Sequence, residues 1–338
     1  MEDNVMGNEG RCPLCRKVRR LSDDHIFSQF LGGKATTRTC TKCNNGFGGD
    51  FEGRCSNTLA PFIIFLDHAG IPAPPNTVWK KAFERSSDAG TMHYDAKPGR
   101  KGHPSRIYYE RQGHSQHWIG PNLEAIRKIA NANDKVRSGG KLIEERNEIE
   151  MPLDGLKYPI KIDEDLRRLS LKMLVCLAAS FNEDTTLVGE GALAFLAGQA
   201  EDAFIMPISY SNNAANLALE EPGIVLMIDA NREIGVLGAV SWFGYPTIHA
   251  VLNNKYEGDD IGLLGILNLR SQTELFNYGL PAGLRKHPRQ GPAILYGFDQ
   301  IQAMRRMDRL LSRCLGASAP RLTPAPIIQK LILFRPLR

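Results

Sequence analysis

The sequence predicts an α+β protein, in which a small metal-stabilised module precedes a larger mixed α/β domain whose fold remains unassigned. Three observations predict it. Two C-x-x-C pairs lie in the first fifth of the chain, a long amphipathic helical pattern lies near the middle, and several strand-like apolar runs surround that helix. At 338 residues the chain exceeds the usual size of one hydrophobic core, so we expect more than one domain.

The two cysteine pairs have the spacing of a zinc site. One pair is Cys12 and Cys15, and the other is Cys40 and Cys43. Each pair can supply two thiolates to one edge of a tetrahedron, so we expect a structural zinc with four sulfur ligands. The other cysteines are scattered, and we expect them to pack in the interior. They are Cys55, Cys176 and Cys314.

Composition and charge limit the class of protein. Seven cysteines, an odd number, indicate a reducing compartment rather than a secreted disulfide framework. The first residues are acidic and polar, unlike a signal peptide, and no apolar run is long enough to span a membrane. We therefore expect a soluble cytoplasmic protein. Its formal charge of +5 permits a polyanionic partner.

The chain divides into three predicted segments: residues 1–70, 71–150 and 151–338. The middle segment begins with a Pro-rich linker and continues with strand-like runs in which basic and aromatic residues alternate. We predict strands at 78–83, 91–95 and 107–111. Asn122 is placed to cap a following helix.

The third segment begins with the strongest helical pattern of the chain. We predict that this helix starts near Asp163 or Asp165 and buries one apolar stripe, with Arg167, Arg168 and Lys172 outside it. Predicted strands and a basic amphipathic helix follow, at 224–228, 234–242, 247–252, 261–267 and 300–315.

Between and beside the cysteine pairs lie residues that a structural zinc does not need. Asp24-His25-Ile26 is followed by Leu31-Gly32-Gly33, which indicates a turn between two strands, and the second pair is followed by Asn44-Asn45. In this order the motifs resemble those of HNH (ββα-metal) endonucleases, specifically a zinc-knuckle branch with C-x-x-C, Asp-His, Leu-Gly-Gly and C-x-x-C-Asn-Asn. The resemblance covers about residues 10–55.

The resemblance implies a ββα-metal module that hydrolyses DNA phosphodiester bonds. It implies that His25 is the general base, which suits an imidazole because its unperturbed pKa is near neutrality. It further implies that Asp24 and Asn44 hold one divalent cation, Mg²⁺ or Mn²⁺, through oxygen ligands. Asn45 and Asp50 are alternative ligands, because the glycines after the second cysteine pair leave the helix register open.

The chain departs from the family pattern at one point. Many members carry an asparagine between the Gly-Gly turn and the second cysteine pair, and this asparagine orients the loop of the base. Residues 34–39 contain threonines instead, one of which can take that role.

Basic residues surround the predicted site and outnumber the acidic ones, which predicts contacts with phosphates. The candidate nucleic-acid contacts are Arg16, Lys17, Arg19, Arg20, Lys34, Arg38 and Lys42. We expect double-stranded DNA as the partner, dimerisation of the chain, and target selection or binding of a small-molecule regulator by the later segments. The family resemblance also allows a restriction-like or phage-defence role.

Other interpretations of the same residues remain open. The cysteines can form a zinc ribbon without catalysis, Asp24-His25 can be a surface dipeptide, and Asn44 can cap the helix that follows. The competing function is therefore a zinc-dependent nucleic-acid-binding or regulatory protein that does not cleave.

Overall fold

The computed structural model describes residues 9–132, 149–150, 163–181, 185–200 and 223–279, except positions 69, 75, 88, 89, 100, 113, 114, 234 and 244. The α-helices within these ranges are α1 (Thr41–Phe47), α2 (Gly53–His68), α3 (Leu123–Ala132), α4 (Glu164–Phe181) and α5 (Glu190–Leu196). No helix in this part of the chain is both long and apolar enough to cross a membrane.

The strands form antiparallel sheets. The first sheet has the order β1 (Glu9–Arg11), β2 (Val18–His25) and β3 (Thr36–Cys40). A four-stranded sheet contains β4 (Trp79–Ser87), β5 (Gly90–Lys97), β6 (Lys101–Pro104) and β9 (Ile149–Glu150), and a separate hairpin contains β7 (Tyr108–Gln112) and β8 (Ser115–Ile119).

A five-stranded antiparallel sheet forms the largest layer in the described ranges. Its order is β12-β11-β10-β13-β14, from β10 (Gly223–Asn231), β11 (Gly235–Trp242), β12 (Tyr245–Asn253), β13 (Ile261–Asn268) and β14 (Thr273–Tyr278). Helix α4 packs on one face of this sheet and contacts the cysteine module on its other side.

This combination of helices and antiparallel sheets confirms the α+β class. The predicted strands of the middle and third segments are confirmed, and so is the helix after Asn122, whose side chain accepts a hydrogen bond from the backbone of Glu124. Helix α2 contains Pro61 in its interior. The predicted helix at 300–315 lies outside the described residues.

The prediction that Arg168 and Lys172 lie outside the buried face of α4 was wrong. Both side chains are buried, although the start of the helix is where it was predicted. A helix with one exposed face requires solvent on that side, whereas α4 lies between the sheet and the module and is covered on both sides. Arg167 remains partly exposed.

One hydrophobic core joins the module to the sheet. Phe27 and Phe51 of the module belong to the same buried cluster as Leu174 of α4 and Trp242 of β11. The Trp242 indole nitrogen donates a hydrogen bond to Ser170 Oγ at 3.0 Å, which satisfies the buried polar end of this ring. The module is therefore held by the same core that stabilises the larger sheet.

The Leu-Gly-Gly motif forms the connection between β2 and β3. Gly32 has φ of 92°, in the left-handed region that a residue with a Cβ rarely adopts. At Gly33 a Cβ would lie 1.8 Å from the carbonyl oxygen of Phe27, which no side chain can accommodate. The two glycines thus allow the chain to reverse close to the end of β2.

Candidate functional site

The four paired cysteines come together at one place. Their sulfur atoms all lie within 4.8 Å of one another, and Cys15 Sγ and Cys40 Sγ are 3.8 Å apart. Four sulfurs about 2.3 Å from a zinc ion are about 3.8 Å from each other in a tetrahedron. The cluster can therefore bind one zinc ion, and the predicted grouping of Cys12, Cys15, Cys40 and Cys43 is confirmed.

Local backbone turns position these sulfurs. The amide of Cys12 donates to the carbonyl of Lys17, and the amide of Arg16 donates to the carbonyl of Cys12, which closes a tight loop around the first pair. Arg16 has φ of 61°, so this loop includes a left-handed residue. The Cys40 amide donates to Cys12 Sγ at 3.2 Å and thereby links the two pairs.

The pKa values of the cluster show how closely its sulfur atoms interact. A hydrogen bond from Cys43 lowers the pKa of Cys12 to about 5, and the same interaction raises the pKa of Cys43 far above its usual value. Burial raises the pKa of Cys15. Cys12 therefore forms a thiolate readily, and its negative charge disfavours deprotonation of the other cysteines. A bound divalent cation would offset this repulsion between thiolates.

The second pair leads from the hairpin into the helix, so the module has the order β2, β3, α1. In the β2–β3 register Asp24 lies opposite Thr37, and His25 lies opposite Thr36. Successive residues of a strand point to opposite faces. Asp24 and Thr37 are accordingly buried, whereas His25 is half-buried and Thr36 is exposed. The adjacent Asp24 and His25 side chains thus leave opposite faces of the hairpin.

Both oxygens of the Asp24 carboxylate have partners. One accepts a hydrogen bond from Thr39 Oγ1 at 2.9 Å, and the other pairs with Lys172 Nζ of α4 at 2.8 Å. Lys172 also pairs with Glu52, whose second oxygen accepts from Ser28 Oγ at 3.0 Å. Burial lowers the pKa of Lys172, but the net direction is upward because of neighbouring negative charges, including Glu52 and Asp24.

His25 lies on the outer face of the hairpin. Among the residues that the structure describes, none forms a hydrogen bond or an ion pair with its imidazole. Its neighbours on this face are polar, since Asp23 and Arg38 pair across the strands with N and O 3.8 Å apart. The half-buried imidazole is thus in contact with solvent.

Asn44 fastens α1 to the hairpin. Its Nδ2 donates to the carbonyl oxygen of Asp23 at 2.8 Å and lies 3.4 Å from Ser22 Oγ. The amide of Asn44 therefore reaches the strand that carries Asp24 and His25. In the observed conformation the Asp24–Asn44 donor set does not fit a divalent cation, because Asp24 is engaged by Lys172.

Asn45 and Asp50, the alternative metal ligands, lie in different surroundings. Asn45 is exposed on α1. Asp50 lies in a kinked π-helical turn between α1 and α2, and its carboxylate pairs with Arg54 at 2.7 Å and with Arg168 of α4 at 3.1 Å. Asp50 is thus joined to the same helix as Asp24.

The candidate nucleic-acid contacts fall into two groups. Three of them have partners within the protein: Arg16 donates to the carbonyl of Val188, Lys34 Nζ donates to the carbonyl of Gln272 at 3.3 Å, and Arg38 pairs with Asp23. The others have no hydrogen-bond or ion-pair partner within the described ranges, and they are Lys17, Arg19, Arg20 and Lys42.

Comparisons of the chain with protein-family models, with curated proteins and with solved structures give no match. Sequence reasoning missed Thr39 and Lys172 as partners of Asp24, and Glu52 as the second partner of Lys172. Thr39 could have been found, because it lies two residues from Thr37 in an alternating strand and so shares its face. Lys172 is 148 residues from Asp24, and no local signal joins them.

Proposed function

We propose that this protein is a metal-dependent endonuclease of the HNH type that hydrolyses DNA phosphodiester bonds. The observation that carries the proposal is His25 at the end of β2, which contacts solvent and has no partner among the described residues, on a hairpin whose next strand ends in the four-cysteine cluster. A structural zinc in this cluster would stiffen the hairpin and α1 together, and it would leave no coordination position for substrate.

In the proposed reaction His25 accepts a proton from the attacking water. A general base must reach the proton that it removes and must be unprotonated at the working pH, and an imidazole open to solvent meets the first requirement. The exposed hydroxyl of Thr36, which lies opposite His25, is available to a ligand at the same face. A divalent cation, Mg²⁺ or Mn²⁺, would supply neutralisation of the negative charge that develops on the phosphate.

The basic residues support double-stranded DNA as the substrate. Lys17, Arg19, Arg20 and Lys42 have no described protein partner that would neutralise them, so their charge is available to phosphates. The proposal extends to a cytoplasmic enzyme that dimerises in order to cut both strands, and whose later segments select the target or bind a regulator.

The test is a plasmid-nicking assay with the zinc-loaded full-length chain and each divalent cation in turn. We expect His25→Ala to abolish nicking while zinc content and the circular-dichroism spectrum remain those of the wild type. Asp23→Asn is the matched control, because residue 23 shares the outer face with His25 and its side chain is 72 % exposed. Nicking by His25→Ala at the wild-type rate would refute the assignment of the base.

One observation favours a second candidate, a zinc-dependent nucleic-acid-binding protein without cleavage activity. Asp24 is buried on the face opposite to His25, and its carboxylate is engaged by Lys172 and Thr39. Binding of duplex DNA by both wild type and His25→Ala, without cleavage by either under any divalent cation, would support this second function instead.

A further inference from the structure

The start of β14 contacts the loop between β2 and β3. Glu274 of β14 accepts hydrogen bonds from two consecutive backbone amides of this loop. One carboxylate oxygen accepts from the amide of Lys34 at 3.1 Å, and the other accepts from the amide of Ala35 at 2.7 Å. A single carboxylate of the five-stranded sheet therefore holds the main chain of the loop.

This loop leads directly to His25. The carbonyl of Ala35 accepts a hydrogen bond from the amide of Ile26 at 3.0 Å. Ile26 follows His25 in the chain, and Ala35 precedes Thr36, which lies opposite His25 in the hairpin. Glu274 thus holds the amide of the same residue whose carbonyl holds the end of β2.

The backbone on the other side of His25 has a separate anchor. Asp24 is held by Lys172 at 2.8 Å and by Thr39 at 2.9 Å. His25 therefore lies between one residue that is fixed through α4 and another, Ile26, that is fixed through β14. Its own imidazole has no partner among the described residues, so the position of the ring depends on the backbone that carries it.

The turn that precedes Glu274 is itself held in one conformation. The side chain of Asn268 accepts from two backbone amides of this turn, at 2.9 and 3.1 Å. Gln272 donates from Nε2 to the carbonyl of Leu269 at 2.7 Å, and its Oε1 lies where a Cβ on Gly32 would come within 2.3 Å. A carboxylate on a rigid support restricts its partners more than one on a flexible segment.

We propose that Glu274 is a positioning residue for His25. Its carboxylate fixes the backbone of Lys34 and Ala35, and Ala35 in turn fixes the end of β2 on which the imidazole lies. The consequence for cleavage rests on the proposed nuclease function, whereas the consequence for the position of the ring does not. The five-stranded sheet is thereby part of the proposed site.

Other contacts already attach this turn to the module. Lys34 Nζ donates to the carbonyl of Gln272 at 3.3 Å, and the rings of Phe27 and Phe276 lie 6.0 Å apart. The Glu274 carboxylate differs from these contacts because it binds main-chain amides, and hydrogen bonds to an ionised acceptor are stronger than neutral ones. Loss of this carboxylate should therefore loosen the loop while the other contacts remain.

The first test follows the imidazole by NMR of the zinc-loaded full-length chain with ¹³C-labelled histidine. The His25 signal is identified by its absence from His25→Ala. We expect Glu274→Ala to shift or broaden this signal, because Ile26 loses its support, and Glu274→Gln to have a smaller effect, because it keeps one acceptor oxygen. The signal of His249 on β12 should not change. Glu257→Gln is the matched control, since Glu257 is exposed and has no described partner.

The second test measures nicking kinetics on the same variants. We expect Glu274→Ala to lower kcat by about tenfold or more, because a small displacement of a catalytic group can cost about 100-fold in rate. KM should change by less than about twofold, since the contacts to DNA are retained. Glu274→Gln should restore part of the loss. If Glu274→Ala loses its zinc, the comparison of Glu274→Gln with wild type decides the proposal.

An unchanged His25 signal in the Glu274 variants that retain zinc would overturn the proposal, as would an unchanged kcat in an enzyme that nicks. The two tests also separate this inference from the proposed function. Absence of nicking by wild type under every divalent cation would contradict the nuclease, and the His25 signal alone would then decide whether Glu274 positions the ring. Nicking by wild type, with the His25 signal and kcat unchanged in the Glu274 variants, would support the nuclease and contradict the positioning role.

Discussion

The substitution Asp24→Asn distinguishes a residue whose only role is metal binding from one that also stabilises the fold. A carboxylate that serves only as a cation ligand contributes nothing to stability without the cation. In the structure, however, Asp24 is buried and pairs with Lys172 at 2.8 Å. We therefore expect Asp24→Asn to destabilise the zinc-loaded protein in the absence of any other divalent cation.

The expected magnitude follows from the contacts. Removal of one partner of a buried ion pair costs about 3–5 kcal/mol. Lys172 keeps Glu52 as a partner, and the new amide oxygen can still accept from Thr39, so the lower end applies. A loss of about 3 kcal/mol changes the unfolding equilibrium constant roughly 100-fold.

Urea denaturation followed by Trp fluorescence measures this loss. The matched control is Asp23→Asn, because its exposed side chain pairs with Arg38 at only 3.8 Å, and we expect a change of less than about 1 kcal/mol. Equal midpoints for wild type and Asp24→Asn would refute the reasoning, as would an equal loss for the two variants.

Two further predictions concern zinc and DNA. Metal analysis should find one zinc per chain. Cys43→Ser should lose this zinc and unfold at a lower urea concentration, because it removes one of the four sulfur ligands that lie within 4.8 Å of one another. Full zinc content in Cys43→Ser would contradict this prediction. The logarithm of DNA affinity should fall linearly with the logarithm of salt concentration. Substitution of Lys17, Arg20 or Lys42 by Met should each reduce that slope by about 0.9, and unchanged slopes would show that these residues do not contact phosphates.

Much of the fold could be predicted from the sequence, because its signals are local. The helix beginning near Asp163 is encoded in its apolar spacing and capping residue, and the strands of the large sheet are continuous apolar runs. The grouping of the cysteines was also predictable. In each C-x-x-C pair a single tight turn brings the two sulfur atoms to the same metal ion, and two such pairs complete a four-sulfur site.

The surroundings of Asp24 could not be predicted, because they depend on which layer covers the module. A lysine beside an apolar stripe ordinarily projects into solvent, and nothing near Lys172 in the sequence indicates otherwise. Its burial results from packing of α4 between the sheet and the hairpin, which is a property of the tertiary fold. The separation of Asp24 and His25 could have been inferred from strand alternation once both were assigned to β2.

The shared core has a consequence for any attempt to transplant the cysteine module. Cutting the chain after residue 70 would expose Phe27 and Phe51 to water, because Leu174 and other residues of the later segments cover the same cluster. An excised fragment would therefore expose an apolar surface and tend to aggregate even with its zinc bound. A soluble fragment would have to include α4 together with the cysteine module.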